Sequence, residues 1–175
     1  MRLSATAVLT LSLSLLSAPL QAQEDYQLPT YTDAQRWNRA STLQTAVLVG
    51  QLAGQMSSGS TAFEAGRASA RVFGPPNGWN GSDTPMRLLR GMYRNWMSSP
   101  AQTCEVLDAG ETMVRARCNR PYLAYFGEDG VSYGVTLEQY EQFGTGFASG
   151  IAEAHGMDWS QRVDGDDLLI TIRKR

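Results

Sequence analysis

The chain has 175 residues, 42% of them hydrophobic and 18% charged, with a formal net charge of −2 at neutral pH. This composition excludes a collagen-like, disordered or multiply cystine-stapled chain, and the near-neutral balance gives no global field that attracts nucleic acid. Fourteen of the fifteen basic residues are arginine and only Lys174 is lysine, so Schiff-base chemistry has a single penultimate amine to work with.

Residues 1–22 read as a cleaved export signal: Arg2 at the start, an apolar and hydroxyl-rich run from Ala5 to Leu16, and Leu20-Gln21-Ala22 before the cut. Thr10, Ser12, Ser14 and Pro19 break the run, which makes it too short and too weak for a transmembrane span. The expected mature chain is a periplasmic or secreted protein of 153 residues with a formal charge of −3. That length is enough for one domain with a real core.

Residues 23–32 carry Pro29 and no periodicity, and read as a surface tether before a single domain over 33–175. Asp33 reads as the N-cap of a long helix whose core face is Trp37, Ala40, Leu43, Val47, Leu48 and Leu52, ending at Ser57-Ser58-Gly59. Thr61 and Glu64 form a capping box for a second helix that ends near Phe73-Gly74-Pro75. The turn-rich connector from Gly74 to Asp83 holds Trp79, read either as a lid or partner anchor, or as a ring tucked back onto the helices. Thr84 and Pro85 open a third helix with Leu89, Tyr93 and Trp96 on one face and Arg87, Arg90 and Arg94 opposite, the pattern of a solvated face.

After Pro100 the period changes to two. Strands near Thr103–Leu107 and Thr112–Cys118 form one hairpin, and Trp159–Val163 and Leu168–Arg173 a second, joined at Asp164-Gly165-Asp166. Between them, the aromatic segment from Arg120 to Tyr133 has no clear period, and Thr136 with Gln139 caps a helix that Gly156 ends. The order is ααα-ββ-α-ββ. Two hairpins need a helical layer over their apolar face, so the expected fold is α+β, with helices packed on a four-stranded antiparallel sheet.

Cys104 and Cys118 are the only cysteines, and an oxidising compartment favours a disulfide. A tight turn at Asp108-Ala109-Gly110 leaves them out of reach, whereas a loop centred on Glu111 sets them opposite one another. Two buried free thiols are the alternative.

The order and several of its residues resemble the 4-vinyl-reductase domain family, which shares a fold with the TRAPP vesicle-tethering subunits and is related to heme-nitric-oxide-binding domains. The resemblance spans about Pro85 to Ile172 and rests on Pro85-Met86-Arg87-Leu88-Leu89, on the run from Phe143 to Gly150 (FGTGFASG), and on Gly156 before the last hairpin. It implies a scaffold that holds a small or lipophilic ligand between helices and sheet, or that dimerises. Related sensing domains carry cysteines after the Gly-rich helix, and this chain has none there, so no metal-centred version and no cofactor is expected. Gly146 and Gly150 share a helix side and permit close backbone approach, which tight packing alone explains.

Nucleophile, EF-hand and zinc spacings are absent from the sequence. Asp164, Asp166 and Asp167 suit a turn, and the single histidine, His155, suits a helix C-terminus. Two groups are candidate binding residues. Tyr122, Tyr125, Phe126, Tyr140, Phe143 and Phe147, with Tyr133 near them, form an aromatic concentration suited to an apolar pocket or to a core. Arg115 and Arg117, joined by Arg162 and Arg173 on one strand face, suit the acidic end of a ligand or an acidic protein partner, with Glu105 as a neighbouring charge. The expected function is an exported binding domain for a small apolar or amphipathic molecule. A periplasmic inhibitor or immunity protein is the alternative, and a metal-free hydrolase using carboxylates such as Glu128 and Asp129 is third.

Overall fold

The computed structural model describes residues 30–96 and 101–175. The expected export signal and most of the expected tether lie outside the described residues.

Each long element starts where its capping chemistry dictates. Helix α1 (Asp33–Ser57) is capped by Thr32, whose hydroxyl accepts from the Gln35 N–H while the Gln35 side chain accepts from the Thr32 N–H. The cap is thus one residue earlier than expected, and Asp33 begins the helix beside its positive end. Helix α2 (Ala62–Phe73) uses the Thr61–Glu64 box, and α3 (Pro85–Trp96) starts on Thr84 and Pro85. Helix α4 (Leu137–Ala154) uses Thr136 and Gln139, then ends at His155 and Gly156, whose φ of +69° suits glycine.

Strands β1 (Cys104–Ala109) and β2 (Met113–Asn119) form the first hairpin. The aromatic segment becomes a 3₁₀ turn (Pro121–Tyr125) and a small hairpin, β3 (Val131–Ser132) with β4 (Val135–Thr136). Strands β5 (Met157–Asp164) and β6 (Asp167–Lys174) complete a four-stranded antiparallel sheet in the order β1-β2-β6-β5. The fold is α+β, in the expected order except for the 3₁₀ turn and the small β3–β4 hairpin inserted before α4.

Alternation sorts the sheet into two faces. Val114, Ala116, Cys118, Leu168, Ile170 and Ile172 are buried, joined by Met157 and Trp159 of β5 and covered by α3 and α4. Burying the Val, Leu, Ile and Met side chains among them contributes roughly 1.5–3 kcal/mol each. Val163 has the same parity but sits next to the end of β5 and is exposed. A second cluster, built from Val49, Leu52, Ala62, Ala65, Phe126 and Val135, joins α1 and α2 to the aromatic segment.

The face of α1 departs from expectation. Trp37, Leu43 and Val47 are 73%, 54% and 50% exposed, while Ser41, Val49 and Leu52 are buried. The helix is weakly amphipathic and offers two comparable stripes. The one that meets Ala62, Ala65 and Tyr125 wins because those surfaces lie on that side.

Cys104 and Cys118 are directly opposite and disulfide-bonded. The loop that permits this has the Gly110 N–H donating to the Met113 carbonyl, and the register shifts once between Val106 and Asp108. The turn therefore falls around Glu111 rather than at Asp108-Ala109-Gly110.

Candidate functional site

Between the two apolar clusters lies a cavity of about 350 Å³, at the lower end of the range typical for small-molecule sites, roughly 300–1,000 Å³. Cys118 and Leu168, paired across β2 and β6, form part of its floor, and the disulfide fixes that end of the sheet. Met92 and Trp96 of α3 bound one side, with Phe143, Phe147 and Ala148 of α4 and Phe73 of α2 on others. Pro121, Tyr122 and Tyr125 of the 3₁₀ turn and Tyr140 close the far end.

Helix α1 supplies a whole wall. Ser41, Gln44, Thr45, Leu48, Gln51, Leu52 and Gln55 recur at the three- and four-residue spacing of one helix side. Ser41 and Tyr125 share a hydrogen bond of 3.4 Å. Gln44, Gln51 and Phe73 are exposed as well as lining, and mark where the cavity meets solvent.

Among the described residues the site has one ionic cluster, in which Arg120, Glu141 and Tyr122 bond one another. Arg120 is only 8% and Glu141 16% exposed, and the Arg120 guanidinium donates to Glu141 Oε1. Arg120 Nε also donates to the Tyr122 hydroxyl (3.3 Å), Nη1 donates to the Gly165 carbonyl (3.0 Å), and the Tyr122 hydroxyl donates to Glu141 Oε1 (2.9 Å). Burial works against the charge on Arg120, but its bonds to Tyr122 and Glu141 carry its pKa above the ordinary value. Burial raises the Tyr122 and Tyr140 pKa values, so both phenols stay neutral at physiological pH.

Five of the six aromatic candidates, Tyr122, Tyr125, Tyr140, Phe143 and Phe147, line the cavity. Phe126 does not. It is buried in the second cluster, with its ring 5.4 Å from that of Tyr140.

Arg115 and Arg117 are not brought to the cavity. They stand on the opposite, solvated face of the sheet, because inward parity belongs to Val114, Ala116 and Cys118. Nor does that face form a cationic patch. Glu105 and Asp108 lie opposite Arg117 and Arg115 across β1–β2, and Asp158 lies opposite Arg173 across β5–β6. Arg117 lies 3.6 Å from Asp164 and 3.8 Å from Asp167, and Arg162 lies 3.9 Å from Asp164. Exposed pairs of this kind contribute little to stability, about 0–1 kcal/mol each, but they offset the field that an acidic partner would need.

Trp79 is tucked rather than extended. Its ring packs edge-on against Phe147 at 6.2 Å and covers Gly91, where an added Cβ would lie 2.9 Å from the ring. His155 caps α4, and its Nε2 is buried without a hydrogen-bond partner among the described residues. It is not among the residues lining the cavity. Among the described residues no group of three or more His, Cys, Asp or Glu side chains has metal-site geometry, and no helix is long and apolar enough to cross a membrane.

Sequence reasoning missed the glutamines of α1 and the Arg120–Glu141 pair. The first had a signal, a hydroxyl and amide stripe running beside the apolar one. The second joins residues 21 positions apart across an irregular segment, and had none.

No family model matches the chain, and no curated protein matches it. A solved structure, the Fe(II) unliganded H-NOX protein from K. algicida, matches with a TM-score of 0.30 and 8% sequence identity, over 81% of this chain and 62% of that one. The chain therefore spans less than two thirds of the length of that protein.

Proposed function

We propose that this protein is an exported binding domain that holds one small, largely apolar molecule in the cavity between α1, α4 and the sheet. The observation that carries the reading is a space of about 350 Å³ between two packed clusters, lined by the side chains of Tyr125, Tyr140, Phe143, Phe147 and Trp96. The cavity meets solvent beside Gln44, Gln51 and Phe73, so an apolar molecule can enter it and exchange water for contact with the aromatic lining. The disulfide supports an oxidising compartment and agrees with the export signal read in residues 1–22. The 4-vinyl-reductase-like resemblance supports the same placement of a ligand between helices and sheet.

A blocking substitution tests this. Gly144 is an exposed residue that lines the cavity, and a Cβ added there meets no atom within 4 Å, so Gly144→Phe adds bulk at the cavity's rim with no clash at its Cβ. N-phenyl-1-naphthylamine, a neutral amphipathic fluorophore, should bind the native protein with a rise in emission, and the Gly144→Phe variant should lose that rise. Equal emission from both proteins, or none from the native one, would refute the assignment.

A further inference from the structure

Resting on that cavity as the binding site, we infer that its occupant carries an uncharged, hydrogen-bond-donating polar end, a carboxamide or a hydroxyl, and not the acidic end suggested by the arginines of the strands.

The argument is a balance of charge. The arginines that could receive an anion, Arg115 and Arg117, are on the far face of the sheet. Among the described residues one charged side chain lines the cavity, Glu141, and Arg120 behind it is bonded to it directly. Arg120 has further bonds to Tyr122 and to the Gly165 carbonyl, so its guanidinium is already engaged on three sides. A carboxylate ligand would enter the space beside Glu141 with no free cation among the described lining residues to meet it. An ammonium ligand would meet a carboxylate already neutralised by Arg120. Desolvating either ion without a partner costs far more than desolvating a neutral polar group.

What the lining offers instead is carboxamide. Seven of the lining residues are Asn or Gln. Three are occupied: Asn119 Oδ1 accepts from Gln102 and from the Thr103 N–H, and Gln161 Oε1 accepts from the Trp159 indole. On α1, Gln55 Oε1 is buried with no hydrogen-bond partner among the described residues. The terminal torsion of glutamine is broad, so a donor in the cavity can draw this carbonyl round to complete its bond. Tyr122 and Tyr140 remain neutral under burial and add dipoles rather than charge.

The test displaces N-phenyl-1-naphthylamine from the full mature protein at pH 7 with ligands of one body and three heads: 2-naphthamide, 2-naphthoate and 2-naphthylmethylamine. The amide should compete at a concentration at least tenfold below either ion. Gln55→Leu should then raise the amide's Kd by about threefold to tenfold relative to the fluorophore's Kd measured on the same variant, the range of one lost neutral hydrogen bond. Naphthoate or the amine competing as well as the amide, with the fluorophore bound, would overturn the inference and leave the cavity as a binding site. Failure of the fluorophore and of all three naphthalenes to bind would overturn both.

Discussion

Substituting Gly146 with alanine should separate two helices that touch through their backbones. A Cβ built on Gly146 falls 2.1 Å from the Phe63 carbonyl oxygen of α2, and one built on Gly66 falls 2.1 Å from the Phe143 carbonyl oxygen of α4. Each helix thus seats its glycine on the other's main chain, and no side-chain rotation relieves the clash. Restoring ordinary contact requires α2 and α4 to part by about 1 Å, a gap that forfeits a quarter to a half of each affected dispersion well. Overpacking of this kind costs about 1–3 kcal/mol, occasionally more, and the helix preference of alanine returns up to about 1 kcal/mol. Because the clash is with backbone on both sides, the upper end applies, and Gly146→Ala should lose about 2 kcal/mol net, or about 4–8 °C in Tm for a domain of this size. The control lies two residues away on the same helix: Gly144 meets nothing within 4 Å. Gly144→Ala should therefore gain up to about 1 kcal/mol from helix propensity alone. Urea denaturation followed by far-UV circular dichroism measures both. A Gly146→Ala protein as stable as the parent would refute the backbone-contact account.

Removing Arg120 alone (Arg120→Met) leaves Glu141 buried without its partner and should cost about 3–5 kcal/mol, whereas Arg120→Met with Glu141→Leu should recover most of the loss; equal losses in chemical denaturation would contradict a closed ion pair. Replacing both cysteines by alanine opens a loop with a sequence separation of 14 and should cost about 3 kcal/mol on the chain-entropy account, read as a lowered urea midpoint that no longer responds to reductant. Backbone and side-chain hydrogen bonds from Thr61 lower the Glu64 pKa in the folded state from 4.5, and a hydrogen bond from Arg67 does the same for Glu153. The unfolded chain then binds more protons than the folded one, so this stabilisation is present above 4.5 and is lost as pH falls below it. Urea midpoints should decline over that acid range, and Glu64→Gln should flatten part of the decline; a midpoint that rises on acidification would contradict the sign.

Much of the architecture is legible in the chain because its determinants are local. Thr61 with Glu64 and Thr136 with Gln139 satisfy orphan N–H groups within one helical turn, so they mark helix starts whatever else packs nearby. Alternation in Met113–Asn119 and Asp167–Lys174 likewise sets which side chains share a face, since the period of two belongs to the strand itself. The aromatic cluster was visible in composition, and five of its members line the cavity. Thr32 displaced Asp33 as a cap because both are competent capping residues one position apart, and Gln35 completes the box only with Thr32.

What tertiary structure decided are the questions of which face and which partner. Helix α1 carries two stripes of similar polarity, and only the arrival of α2, α4 and the 3₁₀ turn selected the one with Ser41, Leu52 and three glutamines, leaving Trp37 and Val47 in solvent. Strand parity grouped Arg115 with Arg117, but the side on which the helices pack decided that both face away from the cavity, among carboxylates contributed by the neighbouring strands. Arg120, the cation bonded to Glu141 of the cavity lining, follows β2, where no period places a side chain, and Glu141 meets it from another element. Periodicity is a property of a segment, and a binding site is formed by the space between segments. The sequence could therefore name the aromatic lining, while the neutral character of the cavity depends on how the helices close over the sheet.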